Sequence, residues 1–238
     1  MPRSSSLVRR LQKYSEGSAS PFFGAVTVLP LVAFYEAGLF AARHGGLPIV
    51  RNGVDVAFRA MLGPLPPIDL GLLVALGALA LAVWAKTRNR SRFRIEWVGY
   101  LLLESVFWAL ALLVFLRICF ALHLAVLGGS AVAGLGAISG AAVFEELAFR
   151  VGVLGGLRWL FGRLQAPKWL GWNVSLWTAS FSFAAAHYYG PLGQPLSSES
   201  LFSHILVGLG LGLVYLLRGF APAVYTHAFY DVFVAAAV

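Results

Sequence analysis

The stretch Ala131–Arg150 reads AVAGLGAISGAAVFEELAFR. Glu145, Glu146 and Arg150 are set at the end of a run of alanine, glycine and aliphatic residues apolar enough to lie inside a bilayer. An ionised side chain at that depth costs at least ~2.5–3.5 kcal/mol on insertion scales, so such groups mark a reaction centre or a permeation path. The rest of the chain must supply both the apolar surroundings and the polar partners that this segment needs.

Outward from it, the chain is poor in charge. Of its 238 residues 59% are hydrophobic and 12% charged, where a soluble domain carries ~25% charged residues. Mean hydropathy is +0.79. The expected fold class is all-α, a polytopic transmembrane helical bundle of about 7–8 membrane helices of ~20 residues each. Hydropathy predicts spans over Phe22–Ala42, Ile68–Ala85, Val98–Leu116, Ala131–Phe149, Trp169–Ala186, Leu201–Leu217 and Ala221–Val238. Val151–Phe161 either continues the fourth helix or forms an eighth embedded segment. Within Arg51–Leu62, Val54, Phe58, Met61 and Leu62 recur at helical spacing. That pattern predicts an amphipathic interfacial helix, closed by Gly63-Pro64 and Pro66-Pro67. The chain divides accordingly into residues 1–130, N-terminal transmembrane helices with the interfacial segment near 51–62, and residues 131–238, the helical core that carries the polar motifs.

The net charge of +8 does not read as nucleic-acid binding, because the bases sit in short loops beside apolar spans. With the N-terminus in the cytoplasm and seven crossings, the clusters Arg3–Lys13, Lys86–Arg94 and Arg150–Lys168, together with Arg218, fall inside. Arg43, Arg51, Arg59 and Arg117 fall outside. The asymmetry predicts a multi-pass integral membrane protein with a cytoplasmic N-terminus. The basic start is followed by an apolar run that is too long for a secretory signal and contains Glu36, so it reads as a retained first span. A single cysteine, Cys119, excludes an internal disulfide and a thiolate metal cluster.

Three polar constellations fall in the second half. In the first, Glu146 and Arg150 stand four apart on one helix face and can pair. Glu145, rotated by ~100°, is then free to face a cavity as a general base or acid. In the second, Phe183-Ala-Ala-Ala-His187 puts a phenylalanine one turn before a histidine, with small residues that let a neighbouring helix approach. In the third, His227-Ala-Phe-Tyr-Asp231 is again an i, i+4 pair, in which Asp231 can accept an imidazole N–H and fix the ring's tautomer. Each alone also reads as helix packing. Three on three helices are costly to retain as packing only. Laid out as straight helices starting at one level, however, His187 lies roughly 27 Å and His227 roughly 9 Å from the inner face, too far apart to meet.

The ordered set Glu145-Glu146-x-x-x-Arg150, Phe183-x-x-x-His187 and His227-x-x-x-Asp231 resembles the three signature motifs of the CPBP intramembrane proteases. These include the type II CAAX prenyl endopeptidases and bacterial Abi-type relatives. Gly208-Leu-Gly-Leu-Gly212 followed by Arg218-Gly219 is similar to that family's penultimate helix. The resemblance implies an intramembrane endopeptidase of glutamic type, in a bacterial cytoplasmic membrane, acting on a membrane-anchored, prenylated or tagged protein or a leader peptide. Glu145 and His187 would activate water, and His227 and Asp231 would face the oxyanion. Glu146, Arg150 and Phe183 would support them. No cofactor is then expected. Zinc held by Glu145, His187 and His227 is the competing reading, and a proton- or ion-coupled transporter using the same residues as a relay is the alternative from another class. Glu36 and Glu104 are expected to pair with arginines or line the cavity, His204 to be interfacial, Asn173 and Ser175 to serve helix contacts, and His44 and His123 to lie near loops.

Overall fold

The computed structural model describes residues 6–46, 49, 51–62, 69–89, 93–119, 131–189 and 193–236. These form helices only: α1 (Ser6–Ser18), α2 (Pro21–His44), α3 (Gly53–Leu62), α4 (Leu70–Asn89), α5 (Ile95–Cys119), α6 (Ala131–Glu145), a π-helical segment (Glu146–Gly155), α7 (Gly156–Arg163), α8 (Lys168–Ala186), α9 (Ser198–Arg218) and α10 (Phe220–Ala236). The turn Gly63-Pro64/Pro66-Pro67 and His123 lie outside the described residues.

Local chemistry sets several boundaries. The Ser20 side chain accepts from the Phe23 N–H, with Pro21 at the first helical position, so α2 starts there. Ser197 caps α9 through the Ser200 N–H. Gly219, at φ 95°, ends α9 by sending its N–H back to the Tyr215 carbonyl, a backbone conformation that glycine adopts without steric penalty.

Four of the helices, α2, α4, α5 and α9, are long and apolar enough to cross a membrane. This is fewer than the about 7–8 expected. The reason is visible in the others: α6 gives way to the π-helical segment after 15 residues, α10 has 17, and α8 carries Lys168, Asn173 and several serines. Large apolar side chains on α4 and α5, among them Leu72, Leu76, Leu103 and Phe107, are more than half exposed. An apolar surface of that extent fits contact with lipid chains.

The core lies where α2, α6 and α10 meet, around Val28, Val32, Tyr35, Ile138, Val143, Phe144 and Val224. Gly136 makes that packing possible: a Cβ there would come within 3.0 Å of the Gly38 Cα. A second cluster joins Leu116 of α5, Phe183 of α8, and Val207 and Leu211 of α9. The site described below sits between the two.

Helix α1 was not foreseen. It docks through a network in which the Tyr14 hydroxyl donates to Glu104 at 2.5 Å, and Arg218 pairs with Glu104 and donates to the Ser15 hydroxyl at 2.6 Å. The pairing of Glu104 with an arginine therefore holds. Helix α3, within the segment expected to be interfacial, is fixed by a second network. Asp55 accepts from Tyr35 at 2.6 Å, Arg51 at 2.6 Å and Arg59 at 2.9 Å. Burial pushes the Asp55 carboxyl up, but these donors outweigh it and hold the group below its ordinary range.

At Gly208, a Cβ would lie 3.0 Å from the Ser180 Cα. Gly208→Val should therefore force α8 and α9 apart and lower stability by about 1–3 kcal/mol. Thermal unfolding in detergent checks this, and an unchanged midpoint would refute the close approach.

Candidate active site

The α-helix expected to run through Phe149 stops being α at Glu145. From Glu146 to Gly155 the backbone is π-helical, with i→i+5 hydrogen bonds, a rare form that is frequent at functional sites. Residues four apart remain neighbours in the wider turn, and the pair read from the sequence is present. Arg150 Nε lies 3.1 Å from Glu146 Oε2, with both side chains fully buried. The contact is ionic rather than an aligned hydrogen bond, since neither that oxygen nor any guanidinium nitrogen has a hydrogen-bond partner among the described residues. The Arg150 guanidinium instead lies over the Phe183 ring, 5.0 Å from its centroid, an attraction between cation and aromatic face.

Glu146 does more than pair with Arg150. Its other oxygen, Oε1, accepts from His227 Nδ1 at 3.1 Å. The spacing had suggested Asp231 as the group that orients this imidazole. Asp231 Oδ2 is the looser neighbour, 3.5 Å from Nε2, and the hydrogen-bonded anchor is Glu146. Glu145 Oε2 also faces Nε2, at 3.9 Å, and is buried with no hydrogen-bond partner. A carboxylate can only accept. When these carboxyls are ionised, His227 therefore presents an N–H from both ring nitrogens.

His187 sits just past the end of α8. Its backbone N–H turns back to the Ala184 carbonyl, and its ring Nδ1 lies 2.8 Å from the Phe183 carbonyl oxygen. Since that oxygen accepts, Nδ1 carries the proton and the neutral ring keeps its lone pair on Nε2. The Phe183 ring lies 4.8 Å from the His187 ring and 5.8 Å from the His227 ring. The two histidines thus share one aromatic neighbour, and the picture of straight helices starting at one level does not apply.

The structure brings Glu145, Glu146, Arg150, Phe183, His187, His227 and Asp231 into one cluster. It also adds a residue that the motifs missed. His204 of α9, expected at an interface, has its ring 4.2 Å from that of His187. Its one sequence signal is Ser200 four residues before it, which supplies the carbonyl that its Nδ1 contacts at 2.7 Å. Asn173 bonds back to the Trp169 carbonyl of its own helix, whereas the buried Ser175 hydroxyl, also expected to serve helix contacts, has no hydrogen-bond partner among the described residues, and Glu36 has one buried oxygen without one.

Zinc needs three or four donors converging on one point. No group of three or more His, Cys, Asp or Glu side chains gathers in that way among the described residues. The donor set of Glu145, His187 and His227 does not fit the metal as arranged. What the arrangement offers is a buried carboxyl oxygen of Glu145 facing the His227 ring, and a His187 ring that shares the Phe183 side chain with it.

Residues 127–233, a little under half of the chain, match the family described as type II CAAX prenyl endopeptidase, Rce1-like. This is the family to which the three motifs point. No curated protein and no solved structure matches the chain.

Because Glu146 holds both Arg150 and His227, Glu146→Gln should strand a buried guanidinium and cost about 3–5 kcal/mol. A thermal unfolding midpoint equal to that of the parent protein would refute the pairing.

Proposed function

With residues 127–233 matching the type II CAAX prenyl endopeptidases, we propose that this chain is an intramembrane endopeptidase of glutamic type. Its substrate would be a membrane-anchored protein carrying a prenylated or similarly tagged segment. The observation that carries the reading is the unpartnered Glu145 Oε2, buried beside the His227 ring.

In the proposed reaction, a water molecule gives its proton to Glu145, assisted by the Nε2 lone pair of His187, and its oxygen attacks the scissile carbonyl carbon. Negative charge develops on the carbonyl oxygen. The His227 Nε2–H, which faces Glu145 and Asp231 at 3.9 Å and 3.5 Å, turns to that oxygen and stabilises it. As the tetrahedral intermediate collapses, the C–N bond breaks and the proton held by Glu145 passes to the leaving amine. Glu146 and Arg150 hold His227 and the π-helical turn in place. We place the N-terminus on the cytoplasmic side of a bacterial cytoplasmic membrane, a reading supported by the basic stretches Arg3–Lys13 and Lys86–Arg94.

Glu145→Gln should lower cleavage of a prenylated peptide reporter by ~10²–10⁴-fold while the protein stays folded in the membrane. Normal turnover by the purified variant would overturn the assignment, whereas loss of a coupled ion flux instead of proteolysis would favour a transporter.

Zinc is proposed to be unnecessary. Elemental analysis of active protein should find well below one equivalent, and chelators should leave cleavage intact. Stoichiometric zinc that is lost in His187→Ala or His227→Ala would reverse this reading.

Asp231 separates two roles. If it only orients His227, the neutral Asp231→Asn loses the charge that favours the imidazolium, and both activity and pH profile change. Glu146 already anchors that ring through Nδ1, which supports a different role for Asp231 as a donor toward the oxyanion. An asparagine amide supplies such a donor at every pH, so Asp231→Asn should remain at least as active as the parent. A loss of ~100-fold, the scale of removing an oxyanion donor, would refute the donor role.

A further inference from the structure

His187 occupies an awkward place for a group that must be held still. It lies beyond the last residue of α8, at the C-cap, where its N–H makes a tightened bond to the Ala184 carbonyl in place of the regular helical one. Its own ring satisfies the Phe183 carbonyl, but one hydrogen bond leaves the imidazole free to tilt about it.

The neighbouring helix supplies the remaining constraint. The His204 ring lies against the His187 ring, with centroids 4.2 Å apart and planes inclined by 38°. His204 is itself fixed. Its Nδ1 contacts the Ser200 carbonyl at 2.7 Å and the Tyr188 hydroxyl at 3.1 Å. That hydroxyl also donates to the Ser200 side chain at 2.8 Å. Tyr188 directly follows His187, so this network ties the end of α8 to the first turns of α9. The Gln194 N–H adds a bond to the His187 carbonyl at 2.8 Å. Because the Ser200 carbonyl accepts, His204 carries its proton on Nδ1, and its neutral ring donates nothing toward His187.

We propose that His204 is a positioning residue of the site. Its ring face holds His187 in the orientation that exposes the Nε2 lone pair, and it carries no proton in the reaction. The activity consequences rest on the protease reading above; the orientation of His187 does not.

Two substitutions and two readouts test this in the full-length protein in detergent. His204→Phe keeps an aromatic face and removes the titrating nitrogens, while His204→Ala removes the face. With a prenylated peptide reporter, His204→Phe should keep kcat within about threefold of the parent, with a superimposable pH profile. His204→Ala should lose roughly ten- to a hundred-fold in kcat, the scale of a misplaced reacting group, with KM little changed. Tyr188→Phe should show a smaller loss in the same direction. Independently of cleavage, nitrogen NMR of labelled histidine should find His187 protonated at Nδ1 in the parent and in His204→Phe, and in a mixture of tautomers in His204→Ala.

Full activity in His204→Ala would overturn the proposal. So would equal impairment in both variants, or a pH limb that moves in His204→Phe, which would make His204 a proton carrier. A parent protein with His187 protonated at Nε2 alone would overturn it whatever the variants do. If the parent cleaves no reporter while the NMR pattern holds, the protease reading fails and the positioning role stands.

Discussion

The carboxylate of Glu146 is the constraint on which the rest of the site depends. It is fully buried, and its two oxygens go to different helical elements, one to Arg150 in its own π-helical segment and one to His227 in α10. A buried charge of this kind is stable only when its partners are held in place, so the surrounding helices must maintain the geometry. They do so by close approach. Gly136 lets α6 touch α2 at Gly38, and α10 completes the same cluster through Val224 and Ala228. The polar triad and the apolar core around it therefore depend on each other.

The π-helical segment carries both partners of the buried ion pair, Glu146 and Arg150. A regular α-helix continuing from Glu145 would place each later residue ~100° further round, whereas the wider turn alters that progression from Glu146 onward. Glu146 is buried between Arg150 and His227, while the Glu145 side chain retains 13% exposure. The two adjacent carboxyls have different environments: Glu146 accepts from His227, whereas Glu145 Oε2 has no hydrogen-bond partner among the described residues.

Much of this was legible in the sequence, for identifiable reasons. Hydropathy over Phe22–Ala42, Val98–Leu116 and Leu201–Leu217 located α2, α5 and α9, because long apolar runs leave few alternatives to a helix. The i, i+4 spacing of Glu146 and Arg150 anticipated their contact. What spacing could not reveal was contact between elements. Glu146 reaches His227 across 81 positions of sequence, and His204 meets His187 across a helix-to-helix boundary with no motif of its own. The π-helical turn was hidden because its residues are ordinary helix formers mixed with glycine. Helix α1 was missed for a different reason: its bases read as a topology signal, and the Tyr14 anchor to Glu104 is again a long-range contact.

The two histidines are held in opposite ways. His227 lies in the interior of α10 with carboxyl oxygens facing both ring nitrogens, so it is fixed as a donor. His187 lies at a helix end with its proton committed to a backbone carbonyl, so it is left as an acceptor. The reaction proposed above calls for one of each. The Phe183 ring touches His187, His227 and the Arg150 guanidinium. An apolar side chain thereby sets the spacing between an acceptor on α8 and a donor on α10. Substituting it would change that spacing without removing any polar group, which is why a residue with no chemistry of its own belongs among the site's determinants.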